Sequence, residues 1–228
     1  MSDTQFIREI DEELRRDRLL KLWQGYGHYA VGAAILVVAA TAAWRGWEWY
    51  QLREGAKAGS RFEAALTLAE AGKHADAEQE FAALSKEATW GYRLLSRMRL
   101  AAETGARDAA AGAAAYDAIA ADSSVDAAIR DVARLRAAML LVDSAQVSEI
   151  ASRVEPLIAP SSPFRFSARE TLALARYRAG ERDAARTIFA QLAIDPEVPP
   201  ALRNRAEMMS ALLSAGGDAP VKPGSATQ

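Results

Sequence analysis

Hydrophobic and polar positions follow two patterns along this chain. Residues 22–44 contain no Asp, Glu, Lys or Arg, and 30–43 are apolar apart from one Gly and one Thr. About 20 such residues, at a rise of about 1.5 Å each, cross a hydrocarbon layer roughly 30 Å thick. The run therefore predicts one membrane-spanning helix. From residue 56 to 214 apolar residues recur at helical spacing among Ala, Leu, Arg and Glu, with Gly, Pro, Asp and Ser as punctuation. No sustained alternation of β-branched residues appears, so this part reads as helices throughout. The predicted fold class is all-α. It comprises an amphipathic helix over 1–21, a transmembrane helix over 22–44, a juxtamembrane linker over 45–55, a helical domain over 56–214 and a tail over 215–228. The tail has too little apolar bulk to order itself, and disorder is expected there.

The flanks of the uncharged run support a span. Trp23, Tyr26 and Tyr29 lie at one end, and Trp44, Trp47, Trp49 and Tyr50 at the other. Such rings favour the headgroup region. Arg15, Arg16, Arg18 and Lys21 crowd the N-terminal side, and Arg45 stands alone beside the other end. That imbalance favours a cytoplasmic N-terminus. A cleaved signal is the competing reading, since Ala40-Thr41-Ala42 offers small residues at cleavage spacing. The long N-terminal segment, acidic as well as basic, and the Trp-rich sequence after that site argue against it. A buried core helix is the other alternative. Ahead of the run, Phe6, Ile7, Ile10 and Leu14 form one helical stripe, and Ser2 with Gln5 has capping-box spacing. This helix reads equally as a solvated lead-in or as a small docking element.

The punctuation after residue 56 repeats. Gly72, Ala77, Phe81 and Leu84 share their offsets with Gly180, Ala185, Phe189 and Leu192. Ala145, Ile150, Val154 and Leu157 keep the spacing with different residues, and Gly105, Gly112, Tyr116 and Ile119 match if the turn is two residues longer. A helix–turn–helix unit of about 34 residues is the period of tetratricopeptide arrays. The small residue lets two antiparallel helices approach, and the large one a turn later fills the gap toward the next pair. Glycines at 72 and 180 suit a left-handed helix end. Four hairpins are predicted (56–87, 90–121, 125–159 and 164–195), with a capping helix over 199–214. The expected architecture is a tetratricopeptide-like α-solenoid. An irregular helical bundle is the alternative, because Ala-rich sequence matches small-residue positions by chance.

Composition narrows the function. Of 228 residues, 50% are apolar and 25% charged, with a net charge of −2. No basic stripe speaks for nucleic acid. Without Cys, disulfides, thiolate catalysis and Cys-ligated zinc are excluded. His28 falls at the start of the span and His74 in the first predicted turn, so they form no shared metal or acid–base pair. No phosphate-binding loop, nucleophile elbow or zinc-protease pair occurs. An enzyme is not expected, and neither a cofactor nor a metal is called for.

A binding surface remains. In a repeat stack the first helix of each hairpin lines a concave face. The candidates there are Phe62 and Leu66 in the first hairpin, and Tyr92, Leu95 and Arg99 in the second. Leu135 and Met139 follow in the third, and Glu170, Leu174 and Tyr177 in the fourth. Apolar and aromatic residues with scattered charge suit an extended peptide or a partner helix. Each, taken singly, reads equally well as core between hairpins.

Particular residues carry a family resemblance. Trp23-Gln24-Gly25-Tyr26-Gly27 enters the span. Ala43-Trp44-Arg45-Gly46-Trp47-Glu48-Trp49-Tyr50 leaves it, and Ala58-Gly59-Ser60-Arg61-Phe62 follows. Clearest over residues 8–90, this resembles the ancillary subunit of the SecYEG translocon (the YfgM-like family). The resemblance implies a bacterial inner-membrane, single-pass protein with a cytoplasmic N-terminus and a periplasmic tetratricopeptide-like domain. It implies translocon subunits, a membrane-anchored periplasmic chaperone and emerging secreted polypeptides as partners, and no catalytic residues. The competing expectation is an adaptor for another envelope-assembly or cytochrome-maturation complex.

Overall fold

Helix-forming stretches and helix stops alternate along the chain, and the structure follows them. It is a computed structural model that describes the backbone of residues 3–215. Side chains are described from His28 onward within that range, except those of Ala30 and Trp90. The helices are α1 (Asp3–Glu70), α2 (His74–Glu87), α3 (Trp90–Arg107), α4 (Ala109–Ala120) and α5 (Ala127–Leu141). They continue with α6 (Val147–Val154), α7 (Arg165–Arg178), α8 (Arg182–Ile194) and α9 (Pro200–Ala215). A short 3-10 turn (Glu155–Leu157) extends α6. No strand occurs among the described residues. The chain divides into two units, Met1–Lys57 and Ala58–Gln228.

In the first unit the backbone is helical from Asp3 onward. The backbone runs as uninterrupted helix through the expected divisions at 21 and 44 and through the expected linker over 45–55. The reason is local. Residues 45–55 hold no Pro and several strong helix formers. Arg45 pairs with Glu48 at 3.0 Å and Lys57 with Glu54 at 2.7 Å, one turn apart. The Arg53 guanidinium lies over the Trp49 ring at 5.1 Å. Every described side chain from 31 to 50 is exposed. Among the described residues no helix is long and apolar enough to cross a membrane. The side chains of 22–27 and 30 in the uncharged run lie outside those residues, as do the stripe in 1–21, the Ser2 cap and the tail from 216.

In the second unit the end of α1 packs on α2 through Phe62, Ala65, Phe81 and Leu84, and α3 pairs with α4, α5 with α6 and α7 with α8, while α9 covers α8. These are the four expected hairpins and the cap. Gly72 and Gly180 have φ of 75° and 83° and are the residues that require the left-handed region. At each, two backbone bonds close the helix end: Gly72 N–H to Ala69 O and Lys73 N–H to Leu68 O, then Gly180 N–H to Tyr177 O and Glu181 N–H to Arg176 O. This is the Schellman arrangement in two hairpins.

The repeat register is seen in burial. Ala77, Phe81 and Leu84 are buried on α2, and Gly112, Tyr116 and Ile119 on α4. Ile150, Val154 and Leu157 take the same places in the third hairpin, and Ala185, Phe189 and Leu192 on α8. The middle hairpins reach this packing by other routes. Gly105 is not the turn glycine that the spacing predicts. It lies inside α3, and the turn to α4 is Asp108 alone, whose carboxylate accepts from Ala110 and Ala111 N–H at 3.0 Å each. This N-cap satisfies the first amides of α4 without glycine. The third turn has no positive φ either. Arg178 of α7 reaches across to donate to the carbonyls of Asp143 and Ala145 in that turn.

Candidate protein-binding surface

First helices of successive hairpins approach one another where α5 touches α7 and α7 touches α9. Between second helices, Arg153 of α6 reaches Asp117 of α4. The first helices therefore form the inner wall of the repeat unit, and the second helices its outer wall. This is where the ten candidate residues were expected.

The structure sorts them by environment. Leu95 is 51% exposed and Met139 46%, and Arg99 is exposed beside Leu95 on α3. Leu66, Tyr92, Leu174 and Tyr177 are half-buried and pack against the core clusters of their hairpins. Phe62, Leu135 and Glu170 are buried, so they are structural rather than open surface. The Phe62 ring lies between Phe81 at 5.5 Å and Tyr92 at 5.9 Å, both tilted against it, and such aromatic pairs add to burial. Leu135 belongs to the central cluster with Tyr116 and Val154. The carboxylate of Glu170 accepts from Arg205 Nε at 2.8 Å and Nη2 at 2.9 Å. A buried charge is tolerated only when paired in this way. Sequence spacing placed these three on the right helices, but which neighbours cover them comes from other hairpins.

Ion pairs between helices set the rest of the electrostatics. Arg61 of α1 bridges Glu80 and Glu87 of α2, both at 3.1 Å. Arg107 meets Glu78 at 2.9 Å, and His74 contacts Glu103 at 2.8 Å, joining α2 to α3. Arg153 of α6 donates to Asp117 of α4 at 2.8 Å. None of these links was legible as a pair in the sequence, because the partners lie 19 to 36 residues apart. Between α8 and α9 lies an open cleft of about 490 Å³, lined by Arg186, Thr187, Gln191, Ile194, Ser210 and Ser214. It takes in none of the ten candidates. Among the described residues no group of His, Cys, Asp and Glu is placed to hold a metal ion.

One pair carries a pH dependence. Asp122, in the connection between α4 and α5, is held well below the usual carboxylate range, at about 2. The causes are hydrogen bonds from the Ser124 hydroxyl, from Arg97 and from the Ser124 N–H. A depressed folded pKa contributes stability that is present above the ordinary value of about 4 and is lost as pH falls toward about 2. Asp122→Asn is expected to melt below the parent near neutral pH. The gap should close between about pH 4 and pH 2. Parallel melting curves at every pH would contradict this role.

Against known proteins, residues 21–195 match the family model described as a tetratricopeptide repeat-like domain. Neither the curated proteins nor the solved structures gave a match. The match begins at the start of the uncharged run and ends with the fourth hairpin. Such domains are typically non-catalytic scaffolds that bind proteins. The chain belongs to the tetratricopeptide repeat-like domain family.

Proposed function

We propose that this chain is a membrane-anchored protein-binding adaptor that works beside the Sec translocon, assisting secreted or envelope proteins as they emerge. The observation that carries the anchor is exposure without a cover. Val31, Ile35, Leu36, Val37 and Val38 are each about half to two-thirds exposed on α1. Large apolar side chains exposed around a helix need lipid or other helices against them. The aromatic residues beyond the run favour lipid. At about 100° per residue, Trp44, Trp47, Trp49, Tyr50 and Leu52 are spread around the helix rather than along one face. A partner helix would select a stripe, whereas a headgroup layer accepts a collar.

In this reading the span covers 22–44, the N-terminus is cytoplasmic and the repeat unit is periplasmic. The family match takes in both the run and the repeats, which supports their belonging together. The partners are translocon subunits, a membrane-anchored chaperone and emerging polypeptides.

Two measurements test it. In spheroplasts, external protease should digest the repeat unit and spare an epitope at the N-terminus. Full protection of the repeats would overturn the orientation. Capture from mildly solubilised membranes should recover translocon subunits. Recovery of a different single complex would instead select the adaptor role in envelope assembly or cytochrome maturation.

A further inference from the structure

The last helix stands where a fifth hairpin would begin. α9 touches α7 as α7 touches α5, and it starts 35 residues after α7, the separation of the paired Glu170 and Arg205. α7 is apolar on two faces. Ala168 and Ala175 belong to the central cluster, while Phe166, Ala173 and Tyr177 pack in the last cluster with residues of α8 and α9. α9 buries one such face, through Leu202, Ala206 and Leu213.

Its other face is open. The counterparts of Phe166, Ala173 and Tyr177 at the same spacing are Ala201, Met208 and Leu212. Ala173 is fully buried, whereas Met208 is 64% exposed and Leu212 53%. Ala201, Ala211 and Ala215 are exposed as well. At about 100° per residue these five fall within about a third of the helix circumference. The terminal helix of a stack ordinarily turns a polar face outward, yet residues 208–215 hold no charge. α9 thus keeps the apolar face of a first helix without the helix that covers it.

We infer that a second copy of this chain covers this face, α9 against α9 in antiparallel order about a two-fold axis. Each α9 then supplies the helix that the other lacks. The chain's own next residues do not: 216–228 hold three Gly, two Pro and one large apolar residue, Val221, too little bulk for two uncovered side chains. Charge favours the two-fold arrangement. Setting Met208 against Leu212 of the second copy brings Arg205 and Glu207 beside Ala215 and Leu213 rather than beside like charge. Arg205 is already paired with Glu170 at 2.8 Å. The other end of the stack is a poorer match, because Arg61 gathers Glu80 and Glu87 there, and an uncharged stripe offers those ions nothing for their lost water. A two-fold contact also closes at two copies, whereas end-to-start stacking stays open. One helix stripe is a small contact. Confinement of copies to one bilayer would strengthen it, and that step alone rests on the membrane-anchored reading.

The chain has no Cys, so one introduced thiol reports on one position. Two differently tagged copies of the full chain, both carrying Met208→Cys or both Leu212→Cys, are treated in intact cells with a short membrane-permeant bis-maleimide. A band of twice the chain mass that carries both tags is expected. Leu95→Cys on α3, also exposed, should give none. Adding Ala211→Arg to Leu212→Cys should abolish the band while the purified chain keeps its melting temperature. Adding Met208→Lys serves if that variant fails to fold. Four results would overturn the inference: no band, equal yield from Leu95→Cys, a band indifferent to Ala211→Arg, or a band joining one tag to a different protein. A band that appears only after removal of 216–228 would overturn it in favour of the tail as the cover. Fractionation of the same cells tests the anchor separately. A two-tag band from chain outside the membrane fraction would overturn the anchored reading and leave the pairing standing.

Discussion

Phe81→Ala and Phe189→Ala are each expected to destabilise the repeat unit by about 3–5 kcal/mol. Both rings are fully buried, and each fills the gap between two hairpin helices and the element that follows. Phe81 packs with Phe62, Ala65, Ala77 and Leu84. Phe189 packs with Phe166, Leu192, Val198 and Leu202. Truncation removes the apolar contact and leaves a cavity, because helices held by several other contacts collapse only partly. A typical domain has about 5–15 kcal/mol in total, so either change takes a large share. The expected fall in melting temperature is roughly 6–20 °C for a unit of this size. The damage should also be local. In a repeat array each hairpin rests on its neighbours, and these two phenylalanines lie in separate clusters at opposite ends of the repeat unit. Hydrogen exchange should quicken first in α2 for Phe81→Ala and in α8 and α9 for Phe189→Ala. Melting within about 2 °C of the parent, which is about 0.5–1 kcal/mol, would show that neither ring is a wedge.

Gly112→Ala is expected to destabilise the protein by about 1–3 kcal/mol or more, against what helix propensity says. Gly112 lies inside α4, where replacing glycine by alanine ordinarily gains about 1 kcal/mol. Here a Cβ would stand 2.3 Å from Gly105 Cα, 2.6 Å from Gly105 N and 2.9 Å from Ala101 O. All three are backbone atoms of α3, so no side chain can swing aside. The helices would have to separate, which costs contacts along their whole interface. Gly91 is the control. It sits in the first turn of α3 with nothing within 4 Å of its Cβ position, and Gly91→Ala should be neutral or stabilising by up to about 1 kcal/mol. Thermal melts of the two variants decide the point. If Gly112→Ala melts above the parent, α3 and α4 are not in backbone contact at this glycine.

The contrast between these glycines shows how far spacing alone reaches. The offset between Gly112, Tyr116 and Ile119 placed the right residues in the core of the second hairpin. The same pattern misassigned Gly105 to the turn, because the short Asp108 connection replaces a glycine end by a capping carboxylate. Gly105 is instead the other half of the close approach. A match to spacing detects that small residues are present, but not whether they face a turn or a helix.

The candidate surface divides in the same way. Leu95, Arg99 and Met139 are open, as a binding wall needs, whereas Phe62, Leu135 and Glu170 are covered. All six lie on first helices and fit the apolar or charged periodicity equally well. Glu170 is an example. From the sequence it is one more exposed acid, and only α9, 35 residues on, brings Arg205 to it.

The sequence by itself determined the all-α class, the four hairpins, their cap and the small-then-large register, because these depend on spacing within a hairpin of about 34 residues. It also determined the long uncharged run, which is a property of consecutive residues. Only the tertiary structure decided that α1 continues without a break from Asp3 to Glu70 and that Gly105 meets Gly112. It alone decided which first-helix residues remain open. Those outcomes depend on contacts between residues far apart in the chain, where burial and pairing are set by whichever neighbour the fold supplies.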